Sequence, residues 1–102
     1  MAFQTSMEMR TPDSGKLRGK QMQIACECWF TSTGDTKPIM IKFMDREGKV
    51  QTIRHIEVCS VEEKYYAGIP SKEYICNIYH AGIEKQVRLN FFQEECRWTM
   101  EF

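Results

Sequence analysis

The sequence has no excess charge of either sign: 14 Lys and Arg stand against 14 Asp and Glu, giving a formal net charge of zero. The general electrostatic pull toward nucleic acid or acidic membranes is therefore missing, although a local basic face can hide inside a neutral total. No stretch approaches the roughly 18 apolar residues needed to span a bilayer. The start, Met1-Ala2-Phe3-Gln4-Thr5, shows no basic segment followed by an apolar run, so no secretory signal is expected. The end, Met100-Glu101-Phe102, carries no lipidation motif. Glycine is sparse, and its six residues sit singly, so no phosphate-cradling loop is present. The five cysteines, at 26, 28, 59, 76 and 96, form no Cys-x-x-Cys motif, and an odd count without a secretory signal argues against a disulfide framework. The expectation is a cytoplasmic protein with reduced thiols, no cofactor and no membrane association.

At 102 residues, 42% of them hydrophobic, the chain has room for one domain with one modest core. Residues 1–20 hold Thr11-Pro12-Asp13-Ser14-Gly15 and a small basic cluster of Lys16, Arg18 and Lys20, with few aliphatic residues and no sustained period. They read as a flexible leader to a single small β domain over residues 21–102. About 80 residues are then left to build the core.

From Gln21 onward the hydrophobic period is two, which is the signature of strands. Met22, Ile24, Cys26, Cys28 and Phe30 share one face of a first strand, with Gln23, Ala25, Glu27 and Trp29 on the other. A turn-rich segment, Thr31 to Pro38, precedes a second strand with Ile39, Ile41 and Phe43 opposite Met40, Lys42 and Met44. Asp45-Arg46-Glu47-Gly48 is a hairpin loop. In a third strand, Lys49 to Cys59, residues Val50, Thr52, Ile56 and Val58 share one parity, and Ile53 breaks it, so a bulge or bend is expected at Ile53-Arg54-His55. Ser60-Val61-Glu62-Glu63 has the pattern of a capping box, and Gly68 that of a helix terminator, which predicts about two helical turns over 61–67. The competing reading is that strand three runs on through Tyr65.

The last thirty residues read as a three-stranded meander. Tyr74, Cys76 and Ile78 share one face, as do Val87, Leu89 and Phe91, and then Cys96, Trp98, Met100 and Phe102. The turns between them fall at His80-Ala81-Gly82-Ile83 and Phe92-Gln93-Glu94-Glu95. The fold class expected is all-β, with about six antiparallel strands in a small barrel or strongly curled sheet and one short helical turn between strands three and four. A flat sheet would leave its apolar face uncovered and both edges open.

Chemistry-bearing constellations are few. Cys26-Glu27-Cys28 places two thiols on one strand face, and with Cys76, Cys96, His55 or His80 a zinc site can be drawn. Structural zinc sites usually need two short Cys pairs on turns, and buried free cysteine is a common small core residue, so the core role is preferred. Cys59 and His55 are four residues apart, but no oxyanion hole accompanies them, and their faces match only if no bulge intervenes. No catalytic residue and no metal ligand are expected.

The outward faces hold more apolar area than a solvated sheet face should. Trp29, Met40, Met44, Ile53, Ile75 and Tyr79 fall there, interleaved with Lys42, Arg88 and Arg97, while Tyr65, Tyr66 and Phe92 fall in loops. Cover by the leader, a helix or a second layer would account for them. Aromatic, Met and Arg enrichment is also the composition of an interface core. The function expected is a non-catalytic protein-interaction or self-associating domain, a homodimer or a binder of another protein. Trp29 and Tyr79 would be its anchors, and Met40, Met44, Ile53, Ile75, Arg88 and Arg97 would surround them. Two alternatives remain. One is a small-barrel module binding single-stranded nucleic acid through Trp29, Tyr79, Lys42, Arg88 and Arg97, disfavoured by the charge balance. The other is a Cys-rich zinc-binding domain.

Overall fold

The computed structural model describes residues 21–101, and the expected leader over 1–20 lies outside the described residues. Seven strands follow one another: β1 (Met22–Phe30), β2 (Thr36–Met44), β3 (Val50–Ile53), β4 (His55–Tyr66), β5 (Ile69–His80), β6 (Ile83–Phe92) and β7 (Arg97–Glu101). They form one antiparallel sheet in the order β3-β2-β1-β7-β6-β5-β4. The sheet curls strongly into a half-barrel, and its concave face is the core. β3 and β4 lie at opposite ends of the strand order yet are separated in sequence by Arg54 alone. That connection forces the two ends of the sheet toward each other.

The expected bend at Ile53-Arg54-His55 is present, as a break that divides the anticipated third strand in two. Arg54 takes the corner. Ile53 pairs with Ile41 on one side of it, and His55 pairs with Tyr79 on the other. The break also reverses the parity of β3. Ile53 lies on the concave face and is 1% exposed, while Val50 is exposed. The outward placement of Ile53 is therefore corrected: a corner between two strands resets which residues face inward.

The helical turn over 61–67 is replaced by strand, as the competing reading has it, with β4 running unbroken to Tyr66. Ala67 and Gly68 both have positive φ (52° and 81°), and Tyr66 pairs directly with Ile69. Two consecutive residues of this kind make the two-residue hairpin turn whose twist matches that of its strands. Ser60 to Tyr66 then find partners along β5, from Ile75 to Ile69. The capping-box pattern lost because a long hairpin supplies every residue with a cross-strand neighbour. Ala81 and Gly82 (φ 53° and 76°) repeat the same turn between β5 and β6. Tyr65, Tyr66 and Phe92 consequently lie in strands, not loops. Cys96 is in the β6–β7 turn at φ 52° and is exposed, so its inward parity is also corrected.

Ten residues make the core: Ile41, Ile53, Tyr74, Cys76, Ile78, Val87, Leu89, Phe91, Trp98 and Met100. Met22, Ile24, Cys26, Cys28, Phe43, Ile56 and Val58 pack around them, partly buried. The curl is tied by contacts between its two wings. The Tyr74 hydroxyl on β5 donates to the Thr36 carbonyl on β2 at 2.7 Å. Phe43 meets His80 edge-on at 6.0 Å, and Phe30 meets Phe91 at 6.5 Å.

Candidate functional site

β1 is hydrogen-bonded to β2 along most of its length but to β7 only through Met22, Gln23 and Ile24. Beyond Ile24 the backbone pairing with β7 ends, and β1 continues as half of the β1–β2 hairpin with Cys26 and Cys28 packed against the core. Successive residues on a strand point to opposite faces. At the end of this hairpin two rings are exposed, Trp29 at 67% and Phe30 at 66%, while Thr36 opposite Phe30 is buried. Trp29 sits on the outer face opposite Lys37, and Phe30 on the inner face opposite Thr36. Phe30 ends a run of rings that starts in the core. Tyr74 lies 5.4 Å from Trp98, Trp98 stacks on Phe91 at 4.7 Å, and Phe91 meets Phe30.

The loop closing this hairpin is held from within. The Thr31 N–H donates to the Asp35 carbonyl at 2.8 Å, the Gly34 N–H to the Thr31 carbonyl at 3.0 Å, and the Asp35 N–H to Thr31 Oγ1 at 3.0 Å. The β2–β3 loop follows the same plan, with Asp45 in the role of Thr31. Asp45 Oδ1 accepts from the N–H groups of Glu47 and Lys49, and Oδ2 accepts from Gln51 Nε2 at 2.8 Å. The Gln51 amide and these backbone donors hold the Asp45 carboxyl below its ordinary pKa.

The residues expected to form one outward patch are divided by the fold. Trp29, Met40 and Met44 lie on the outer face of the β1–β2 hairpin. Met44 is exposed beside Val50, and Met40 is half-buried with Arg54 Nη1 3.4 Å from its sulfur. Ile75, Tyr79 and Arg88 lie on the outer face of β5 and β6, and Arg97 on β7. Ile53 belongs to the core. Tyr79 is exposed, lies tilted against the His55 ring at 4.4 Å between centroids and donates to Glu84 Oε2 at 3.1 Å, a bond that raises its pKa.

Between these groups the outer face of β5–β7 is closed. Ser71, Glu73, Asn90, Phe92 and Thr99 are buried there. Long side chains lie across them. The Arg97 guanidinium covers the Phe92 ring at 4.5 Å and bonds Glu95 at 2.7 Å. Arg88 bridges Glu73 at 3.1 Å and Glu101 at 2.8 Å, and Glu101 raises its pKa. Tyr66 donates to Glu73 at 3.2 Å; its hydroxyl is pushed up to about 12 by burial, with the Glu73 charge adding to it. Gln21 Oε1 accepts from Thr99 Oγ1 at 2.8 Å and from Asn90 Nδ2 at 3.2 Å. Alternation alone marks these positions as outward; that they are buried depends on side chains from three strands.

Three of the five thiols, Cys26, Cys28 and Cys76, lie in or against the core. Burial pushes Cys26 and Cys76 up to about 12, and Cys28 upward as well, so all three are protonated at neutral pH. Cys59 is exposed and is the extra residue of a bulge in β4, between Val58 opposite Cys76 and Ser60 opposite Ile75. Among the described residues no three His, Cys, Asp or Glu side chains converge in a way that could hold a metal ion. An open depression of about 200 Å³, lined by Ile75, Gln86, Val87, Arg88 and Glu101, adjoins the Arg88 bridge. No helix among the described residues is long and apolar enough to cross a membrane. No protein family, curated protein or solved structure matches the chain.

Phe30, Val50, Val61 and Ile83 are exposed apolar residues that the sequence reading did not select. Phe30 has inward parity, and only the short β1–β7 pairing explains its exposure. A nine-residue strand facing a five-residue one carries a hint of that overhang.

Proposed function

We propose that the protein is a non-catalytic interaction domain that binds another polypeptide through the tip of the β1–β2 hairpin. Trp29 is the anchor, and Phe30, Lys37 and Met40 flank it. The observation that carries this reading is the exposure of Trp29 and Phe30, neighbours in sequence, at the end of one strand. Two large rings with few rotatable bonds offer contact area at low entropic cost, and such residues dominate interface energies. The internally bonded loop beside them holds the hairpin in place before a partner arrives, which lowers the cost of binding.

The nucleic-acid alternative is weakened by the state of its cations. Arg88 is engaged by two carboxylates, and Arg97 by Glu95 and the Phe92 ring. A non-catalytic role is supported by the protonated inner thiols. Five free thiols favour a reducing, cytoplasmic setting.

The test is a photo-crosslinking side chain placed at position 29 in the full chain, irradiated in its native cells, with position 86 as the exposed control. The expected result is a discrete polypeptide adduct at 29 that is absent at 86 and lost on Phe30→Ala. Adducts to RNA, or no adduct at all, would overturn the reading.

A further inference from the structure

Lys37, Lys42 and Arg54 share the outer face of the β1–β3 wing. Lys37 stands opposite Trp29 of β1, and Lys42 lies between Ala25 of β1 and Thr52 of β3. Arg54, at the corner after β3, brings its guanidinium onto this face beside the sulfur of Met40. All three cations are exposed. Among the described residues none of them meets a carboxylate, whereas Lys64, Arg88 and Arg97 on the other wing each do. Apolar side chains stand between the cations. Trp29 is beside Lys37, Met40 lies between Lys37 and Lys42, and the exposed pair Met44 and Val50 lies beyond Lys42. Glu27, opposite Met40, is the one acid among the strand residues of β1, β2 and β3. A chain with no net charge thus holds a local excess of positive charge around its most exposed ring.

We propose that this face binds an acidic, amphipathic segment of the partner polypeptide; the inference rests on the interaction reading above and names the chemistry of that partner. The row from Lys37 to Met44 runs roughly 20 Å along β2. A segment laid along it sets apolar side chains on Trp29, Met40, Met44 and Val50, and carboxylates over Lys37, Lys42 and Arg54. The apolar contacts carry most of the affinity. Trp29 is a rigid anchor, and the two methionines adapt their shape to what lies on them. Exposed ion pairs add little each, but cations without a carboxylate of their own steer a partner of opposite sign and reject one of like sign. The pattern does not suit a nucleic acid. A single-strand site sets aromatic platforms along a continuous basic groove. Here one ring is followed by thioether and aliphatic side chains, and Glu27 interrupts the cations.

The experiment places the photo-crosslinking side chain at position 44 as well as at 29, in the full chain and its native cells, and sequences the crosslinked segment by mass spectrometry. The expected result is the same polypeptide at both positions, joined through a stretch in which Asp and Glu alternate with apolar residues. With the crosslinker at 29, Lys42→Glu should lower the adduct yield by about tenfold, since an attraction becomes a repulsion. Lys42→Arg should leave the yield unchanged, and Glu27→Gln should raise it. Circular dichroism checks the fold of each variant. An adduct at 29 without one at 44, a crosslinked segment that lacks acids, or a yield indifferent to Lys42→Glu overturns this inference and leaves the interaction reading standing. No adduct at either position, or adducts to RNA or lipid, overturns both.

Discussion

The two wings of the sheet are built differently. β4, β5 and β6 are ten to twelve residues long and pair in register along most of their length, and the inner face of β5–β7 supplies most of the core. The β1–β3 wing joins them through three residues of β1, contributes Ile41 and Ile53 to the core, and leaves Trp29, Phe30, Met44 and Val50 exposed. The first wing buries Tyr74, Phe91, Phe92 and Trp98, whereas the second presents Trp29 and Phe30 while packing Phe43 against the core. Two tryptophans make the contrast plain: Trp98 is 6% exposed between Tyr74 and Phe91, whereas Trp29 stands at the end of a hairpin.

The largest expected effect is in the cohesive wing. Trp98→Ala should cost about 3–5 kcal/mol, the usual range for a buried aromatic deletion, measured by urea unfolding. A loss below about 1 kcal/mol would erase the distinction between the wings. Ile53→Ala comes next, at about 2–4 kcal/mol, because Ile53 is where the presenting wing reaches the core. If it proved neutral, the corner at Arg54 would have to turn the other way. Tyr74→Phe should cost about 1–2 kcal/mol, since it strands the Thr36 carbonyl that ties the wings together. The smallest effect concerns Asp45. Its folded pKa is depressed, so its contribution is present above the unfolded carboxylate pKa of about 4 and is lost as pH falls through the folded value. An acid titration of stability should therefore be shallower for Asp45→Asn than for wild type in that range, and identical curves would remove the loop's role.

Strand parity carried the all-β class and most of the core, because alternation reports directly on a sheet with one covered face. Tyr74, Cys76, Ile78, Val87, Leu89, Phe91, Trp98 and Met100 are inward as their spacing implies. Parity failed where the chain turns. Ile53 was misplaced because a one-residue corner shifts the phase, and 61–67 because a capping pattern is local while the pairing of β4 with β5 is not. The Ala67-Gly68 turn is also less recognisable than an Asn-Gly one. Of the expected outward residues, Trp29, Met44 and Tyr79 are exposed, Arg88 is engaged by Glu73 and Glu101 from the neighbouring strands, and Arg97 by Glu95 two residues away. Phe30 was invisible because its exposure depends on where β7 stops pairing with β1. Pattern reads the face of a residue; only topology says whether anything lies over it.

The contrast between the wings rests most directly on the melting temperature of Trp29→Ala measured beside that of Trp98→Ala. Trp29→Ala should stay within about 1 kcal/mol of wild type, a shift of a few degrees in a domain of this size, while Trp98→Ala falls by about 15 °C or more. If Trp29→Ala melts as low as Trp98→Ala, Trp29 is part of the framework, and the hairpin tip is not a surface held ready for a partner.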